Sequence, residues 1–151
     1  MARYNEDMNE ISKQKVWIMV RTQTRYEGDD SEQASWRVRG AVEHLPGGFL
    51  LRYTEPGPTS ARVILRADAE RAVLTRYAEA RNELVFVPGK RSELLYVTPC
   101  GTLPLLLHTD LLRLRIAGRG GALSLRYSSV LGGAAHSTHR LDILFRMEDS
   151  I

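Results

Sequence analysis

Hydrophobic and polar residues alternate with a period of two through most of this chain. Over 15–26, Val16, Ile18, Val20 and Thr22 fall on one side, with Trp17, Met19 and Arg21 on the other. Such alternation, rich in β-branched residues, predicts a strand with one face in a core. Trp17 and Met19 on the second face imply that something packs over part of it. A second strand is expected over 33–45, with Ala34, Trp36, Val38, Gly40 and Val42 inward and Ser35, Arg37, Arg39 and Glu43 outward. A third, over 49–54, presents Phe49, Leu51 and Tyr53 on one side. Further strands follow near 61–67, 70–78, 82–87, 92–97, 102–108, 111–117, 122–131 and 137–147. Propensity alone would also allow a helix over 67–74, but the β-type segments on both flanks decide for strands.

Turn chemistry separates these runs. Residues 27–31, Pro46-Gly47-Gly48, Glu55-Pro56-Gly57-Pro58-Thr59 and Gly118-Arg119-Gly120-Gly121 all carry the glycines, prolines and small polar residues that tight turns need. Leu94–Leu107 is the most apolar stretch, broken by Thr98-Pro99-Cys100-Gly101, and a barrel or sandwich is expected to close over it. Pro104 lacks a ladder N–H, so its strand must be at an edge or bulged there. About ten short strands at roughly 8–12-residue spacing predict an all-β fold, an antiparallel sandwich or up-and-down barrel. Residues 1–14 read as an N-terminal tail and 15–151 as one barrel domain.

Length and composition narrow the class. At 151 residues, 43% hydrophobic and 26% charged, the chain is long enough for one core and too apolar for wholesale disorder. One cysteine cannot form an internal disulfide, the first residues lack the apolar core of a signal peptide, and no run is long enough for a membrane span, so a cytoplasmic location is expected. The net charge of +3 comes from 18 arginines and 3 lysines. These are interleaved with Asp and Glu along the chain, which argues for a solvated mixed-charge surface and against a nucleic-acid partner without excluding one.

Motifs for catalysis are weak. Gly118-Arg119-Gly120-Gly121 is followed by a strand pattern, so it is a hairpin and not a phosphate loop. His136 and His139 lie three apart, which on a strand points them to opposite faces. No G-x-S-x-G elbow occurs, and no catalytic residue, metal ligand or cofactor is assigned. The suggestive group is Tyr53, Arg76, Tyr96 and Tyr127. Strand parity puts the tyrosines among leucines on the barrel-facing side, and Arg76 in register with Leu74. A buried arginine must be paired, by tyrosine hydroxyls, by a ligand carboxylate, or by an internal glutamate such as Glu55 or Glu83.

Four groups of residues also resemble a known family. They are Phe49-Leu50-Leu51-Arg52-Tyr53 with Glu55-Pro56; Val73-Leu74-Thr75-Arg76 with Leu84-Val85-Phe86 and Pro88-Gly89; Tyr96-Val97-Thr98-Pro99 with Gly101-Thr102-Leu103; and Leu123-Ser124-Leu125-Arg126-Tyr127. Together, over most of 15–147, they resemble the YwiB-like family of small bacterial proteins, a domain of unknown function. Cys100, where the family usually has an aromatic residue, and Tyr77-Ala78, where it tends to have a glycine, depart from its pattern. The resemblance implies a lipocalin-like (calycin) up-and-down barrel of roughly 8–10 strands and carries no catalytic residues with it.

The expectation is therefore a non-enzymatic barrel that binds a small, partly apolar or anionic ligand inside, anchored by Tyr53, Arg76, Tyr96 and Tyr127. The alternative is a protein- or RNA-interaction module using the outer arginines Arg37, Arg39, Arg113, Arg115, Arg140 and Arg146, and a homodimer is compatible with either. An enzyme ranks third, because no nucleophile and base are visible together.

Overall fold

The computed structural model describes residues 13–28 and 30–148; Asp29 and most of the expected tail lie outside them. Ten strands form one sheet: β1 (Lys13–Tyr26), β2 (Ser31–Leu45), β3 (Gly48–Thr54), β4 (Arg62–Asp68), β5 (Ala72–Tyr77), β6 (Arg81–Phe86), β7 (Arg91–Thr98), β8 (Gly101–Ala117), β9 (Gly120–Leu131) and β10 (Ala135–Met147). Every ladder is antiparallel, and the order is β6-β5-β4-β3-β2-β1-β10-β9-β8-β7. Two meanders, β1–β6 and β7–β10, are thus joined where β1 pairs with β10, from Val16↔Met147 to Tyr26↔Ser137. Curling of the sheet brings β6 against β7, giving a nearly closed up-and-down barrel.

The expected parity holds along the walls. Val16, Ile18, Phe49, Leu51, Leu65, Phe86, Leu107, Leu123, Leu125, Ile143 and Phe145 are almost completely buried and fill the middle of the barrel. Phe49 meets Phe145 across it with ring centroids 4.8 Å apart. Burying each large side chain of this kind contributes about 1.5–3 kcal/mol. Gly40 is on the same inner face, and a Cβ there would run into the Arg52 carbonyl and the Ile18 side chain. The glycine lets β2 and β3 approach at the point where Tyr53 turns inward.

Several expectations change. The two strands expected over 102–108 and 111–117 are one, β8, whose register against β9 shifts between Thr109 and Leu111. Such an irregularity absorbs an unpaired residue while the strand continues. Lys13 and Gln14, assigned to the tail, already pair with Glu43 and Val42 in β2. Ala34 faces inward by register but is exposed, because β3 pairs with β2 only as far as Gly40. The apolar hairpin β7–β8 is not the most buried element. Leu95 is 70% exposed, and Val97 and Leu103 are also exposed, while Leu105 and Leu107 reach the core. Pro104 behaves as anticipated: it pairs with Leu95 of β7 and lies just beyond the β9 ladder, which begins at Leu105. At 67–74 a tight turn replaces the helix that propensity allowed; the Asp68 carboxylate accepts hydrogen bonds from the Glu70 and Arg71 amides.

The β6–β7 seam has no backbone ladder among the described residues. A side chain substitutes for it: Asn82 donates from Nδ2 to the Val97 carbonyl and accepts from the Val97 amide at Oδ1, both at 2.9 Å. An asparagine amide carries the same donor and acceptor pair as a peptide group, so one buried side chain closes the barrel as a strand residue would. Replacing Asn82 by Ala leaves both Val97 groups without partners and should cost about 1–3 kcal/mol in urea unfolding. Asn82→Asp should be at least as damaging, since a carboxylate would face the Val97 carbonyl. An unchanged urea midpoint in both variants would show that the seam closes without this amide.

Candidate functional site

The interior is apolar at one end and polar at the other. The turns following β1, β3, β5, β7 and β9 all lie at one end of the barrel, because alternate strands of a meander run in opposite directions. Inner positions near those turns carry Tyr53, Arg76, Asn82, Tyr96, Tyr127, Ser129, Ser137 and His139. At the opposite end the inner residues include Phe49, Ala67, Ala72, Phe86, Leu114 and Phe145.

All four residues anticipated as anchors face the interior, but they form two pairs. Tyr53, Val63, Arg76 and Asn82 occupy one row across β3–β6. Arg76 donates from Nε and Nη2 to Glu55 Oε1, both at 2.9 Å, so its charge is already met from within the protein. Burial pushes the Tyr53 hydroxyl well above its ordinary pKa, with the Glu55 carboxylate adding to the rise and Arg76 opposing it. Tyr127 lies on the other wall, where its ring packs against Phe86 (4.7 Å) and stacks flat on His139 (4.5 Å, 14°). Burial raises the Tyr127 pKa to about 12, with a smaller contribution from Tyr96 nearby. Both phenols remain protonated at neutral pH and can donate hydrogen bonds.

Two features of the interior were not read from the sequence. The first is a hydroxyl cluster on His139. Its Nε2 lies 2.8 Å from both Ser129 Oγ and Ser137 Oγ, and its Nδ1 lies 3.1 Å from Thr24 Oγ1. His136 is exposed on the other face of β10, as period-two geometry requires. The second is the Trp36 indole N–H, which is buried and has no hydrogen-bond partner among the described residues. Trp36 faces inward beyond the point where β2 leaves β3, in one ladder row with Val20, Ile143, Leu123 and Leu114. Parity placed Trp36 inside and could have placed His139 there as well; the missing partner of one and the three hydroxyls around the other depend on which strands become neighbours.

The outer wall built by β2, β1, β10, β9 and β8 is a grid of rows read across the ladders. One row is Arg39-Trp17-Arg146-Gly120 and the next Arg37-Met19-Leu144-Ala122-Arg115. Then come Ser35-Arg21-Asp142-Ser124-Arg113 and Gln33-Gln23-Arg140-Arg126-Leu111. The guanidiniums of Arg37 and Arg39 lie 4.1 and 4.6 Å from the centre of the Trp17 ring, which is what packs over that part of the face. All six arginines named from the sequence as an outer face are exposed here. A hollow of about 460 Å³ lies among Met19, Arg21, Arg37, Ala122, Asp142 and Leu144. A neighbouring one of about 460 Å³ shares Arg21, Ser35 and Asp142 with it.

Ten antiparallel strands around a packed middle, with polar inner residues toward one end, define a lipocalin-like up-and-down barrel. The chain belongs to the DUF1934 family, a domain of unknown function, whose model matches residues 18–143. It is similar in structure to the crystal structure of the YwiB protein from Bacillus subtilis, with a TM-score of 0.79 and 16% identity over 91% of this chain and 94% of that one. At that identity the likeness speaks for the fold. No curated protein matches the sequence. Among the described residues, no group of three or more His, Cys, Asp or Glu could hold a metal ion, and no helix is long and apolar enough to cross a membrane.

Burial lowers the His139 pKa below its ordinary value of about 6.5. In the window between the folded and unfolded values the unfolded chain binds more protons, so stability rises with pH there. The thermal midpoint should therefore fall between about pH 7 and about pH 5, and His139→Gln should flatten that part of the profile. Equal slopes for the two proteins would exclude His139 as the group responsible.

Proposed function

We propose that this protein is a non-enzymatic, cytoplasmic binding barrel that holds a small, partly apolar molecule at the polar end of its interior. The observation that supports this best is the buried Trp36 N–H without a partner among the described residues, in an interior that also carries inward phenols that stay protonated. An unsatisfied buried donor costs about 1–3 kcal/mol, and a carbonyl or hydroxyl of a ligand would remove that cost. Tyr53, Arg76, Tyr96 and Tyr127 supply the polar anchors in this reading. Side chains fill the middle of the barrel, so the ligand occupies the end and not the full depth. Because Glu55 already neutralises Arg76, a neutral molecule bearing hydrogen-bond acceptors suits the site better than an anion. The single, exposed, free Cys100 is consistent with a reducing compartment.

Native mass spectrometry of protein purified from expressing cells tests this directly. A small-molecule adduct should be present, should be lost on denaturation, and should fall in occupancy in Trp36→Phe and Tyr96→Ala. Trp36→Phe should meanwhile leave the stripped protein as stable as before or more so, since it deletes an unmet donor. Bare mass throughout, together with a Trp36→Phe variant that is strongly destabilised, would overturn the proposal.

A further inference from the structure

The outer wall carries a charge distribution that composition conceals. Within the four rows from Trp17 to Gln23, eight arginines stand against one carboxylate, Asp142, with Glu148 just past β10 paired to Arg39 at 3.3 Å, although the whole chain carries only +3. Asp142 is itself engaged, by Arg140 Nε at 3.0 Å and by the Ser124 hydroxyl at 2.7 Å. Between the flanking arginines Arg37 and Arg115 the row is apolar, with Met19 and Leu144 each 50% exposed above the small Ala122. Arg37 and Arg39 are held against Trp17, so two of the guanidinium planes are already ordered.

From this we infer that the β2-β1-β10-β9-β8 wall binds single-stranded RNA. The guanidiniums take the phosphates, and unstacked bases lie in the hollow over Met19 and Leu144 and on the arginine planes. A repeating polyanion matches the charges better than a folded acidic protein does. The arginines recur row after row along the wall, whereas a protein interface would concentrate its contacts on a central cluster. Exposed apolar floor beside the cations favours a strand with free base faces over a duplex, which hides them. Trp17 acts here as a positioning residue for Arg37 and Arg39. The site is separate from the interior, so it stands or falls independently of the barrel ligand.

Fluorescence anisotropy with a labelled oligouridylate, across a salt series, tests the assignment. Binding should weaken steeply with salt. The Arg113→Ala/Arg115→Ala double variant should lose affinity by about tenfold at low salt and lower the slope of log K against log salt by about 1.4, two contacts at about 0.7 each. Arg113→Lys/Arg115→Lys should keep the slope, and Arg66→Ala/Arg81→Ala on the opposite wall should bind as the parent does. Thermal melts that match the parent show that these exposed substitutions leave the fold intact. Absence of binding at low salt, equal loss in the opposite-wall pair, or equal affinity for polyglutamate or for duplex RNA would each overturn the assignment.

Discussion

The pairing of β1 with β10 is the constraint on which the remainder of the molecule depends. Each half of the chain is a meander that could form locally, but neither buries its inner face alone. Joining the first strand to the last puts Ile18 beside Phe145 and Val20 beside Ile143, and so gives the two halves one core. Because side chains alternate, the same register sets the outside as well: Trp17 beside Arg146, Met19 beside Leu144, Arg21 beside Asp142. A slip of one residue would exchange the two sets. Core and arginine grid are therefore two faces of one choice of register.

The other closure, at β6 and β7, is of a different kind. Here the strands do not share a ladder, and one amide at Asn82 supplies the missing peptide-like contact. Lower down, the loop after β6 is tied to β8 by hydrogen bonds between Gly89 and Thr109 and between Thr109 and Lys90. The barrel is thus continuous on the β1–β10 side and only pinned on the other. Its exposed apolar residues Leu95 and Val97 belong to β7, the strand at that weaker margin.

Polar chemistry is divided in the same way between inside and outside. The apolar end and middle of the interior are occupied by side chains, which leaves polar chemistry to the end where Tyr53, Arg76, Tyr127 and His139 collect. Most of that polarity is consumed internally: Glu55 takes Arg76, and hydroxyls surround His139. Among the described residues, the buried Trp36 indole N–H is the side-chain group left without a partner, which gives it more weight than the more numerous satisfied groups. Outside, the arginines are exposed, and the acidic residues that meet them are Asp142, against Arg140, and Glu148, against Arg39.

Period-two alternation was enough to place most strands, their inner and outer faces and the inward direction of Tyr53, Tyr96, Tyr127 and Arg76, and the turn chemistry and short spacing between them pointed to the antiparallel class. These depend on residues close together in the chain, where side-chain parity is a local geometric fact. The same local reading divided β8 at Thr109-Asp110 and overrated the burial of Leu95 and Leu103, since continuity of a ladder and cover over a face depend on distant strands. Which strand meets which was decided only by the tertiary structure. That meeting made Glu55 the partner of Arg76, left Trp36 without one, and set Asn82 against Val97. It also gathered arginines that look evenly diluted along the sequence onto one wall, because charge neighbours in a sheet lie across strands and not along them.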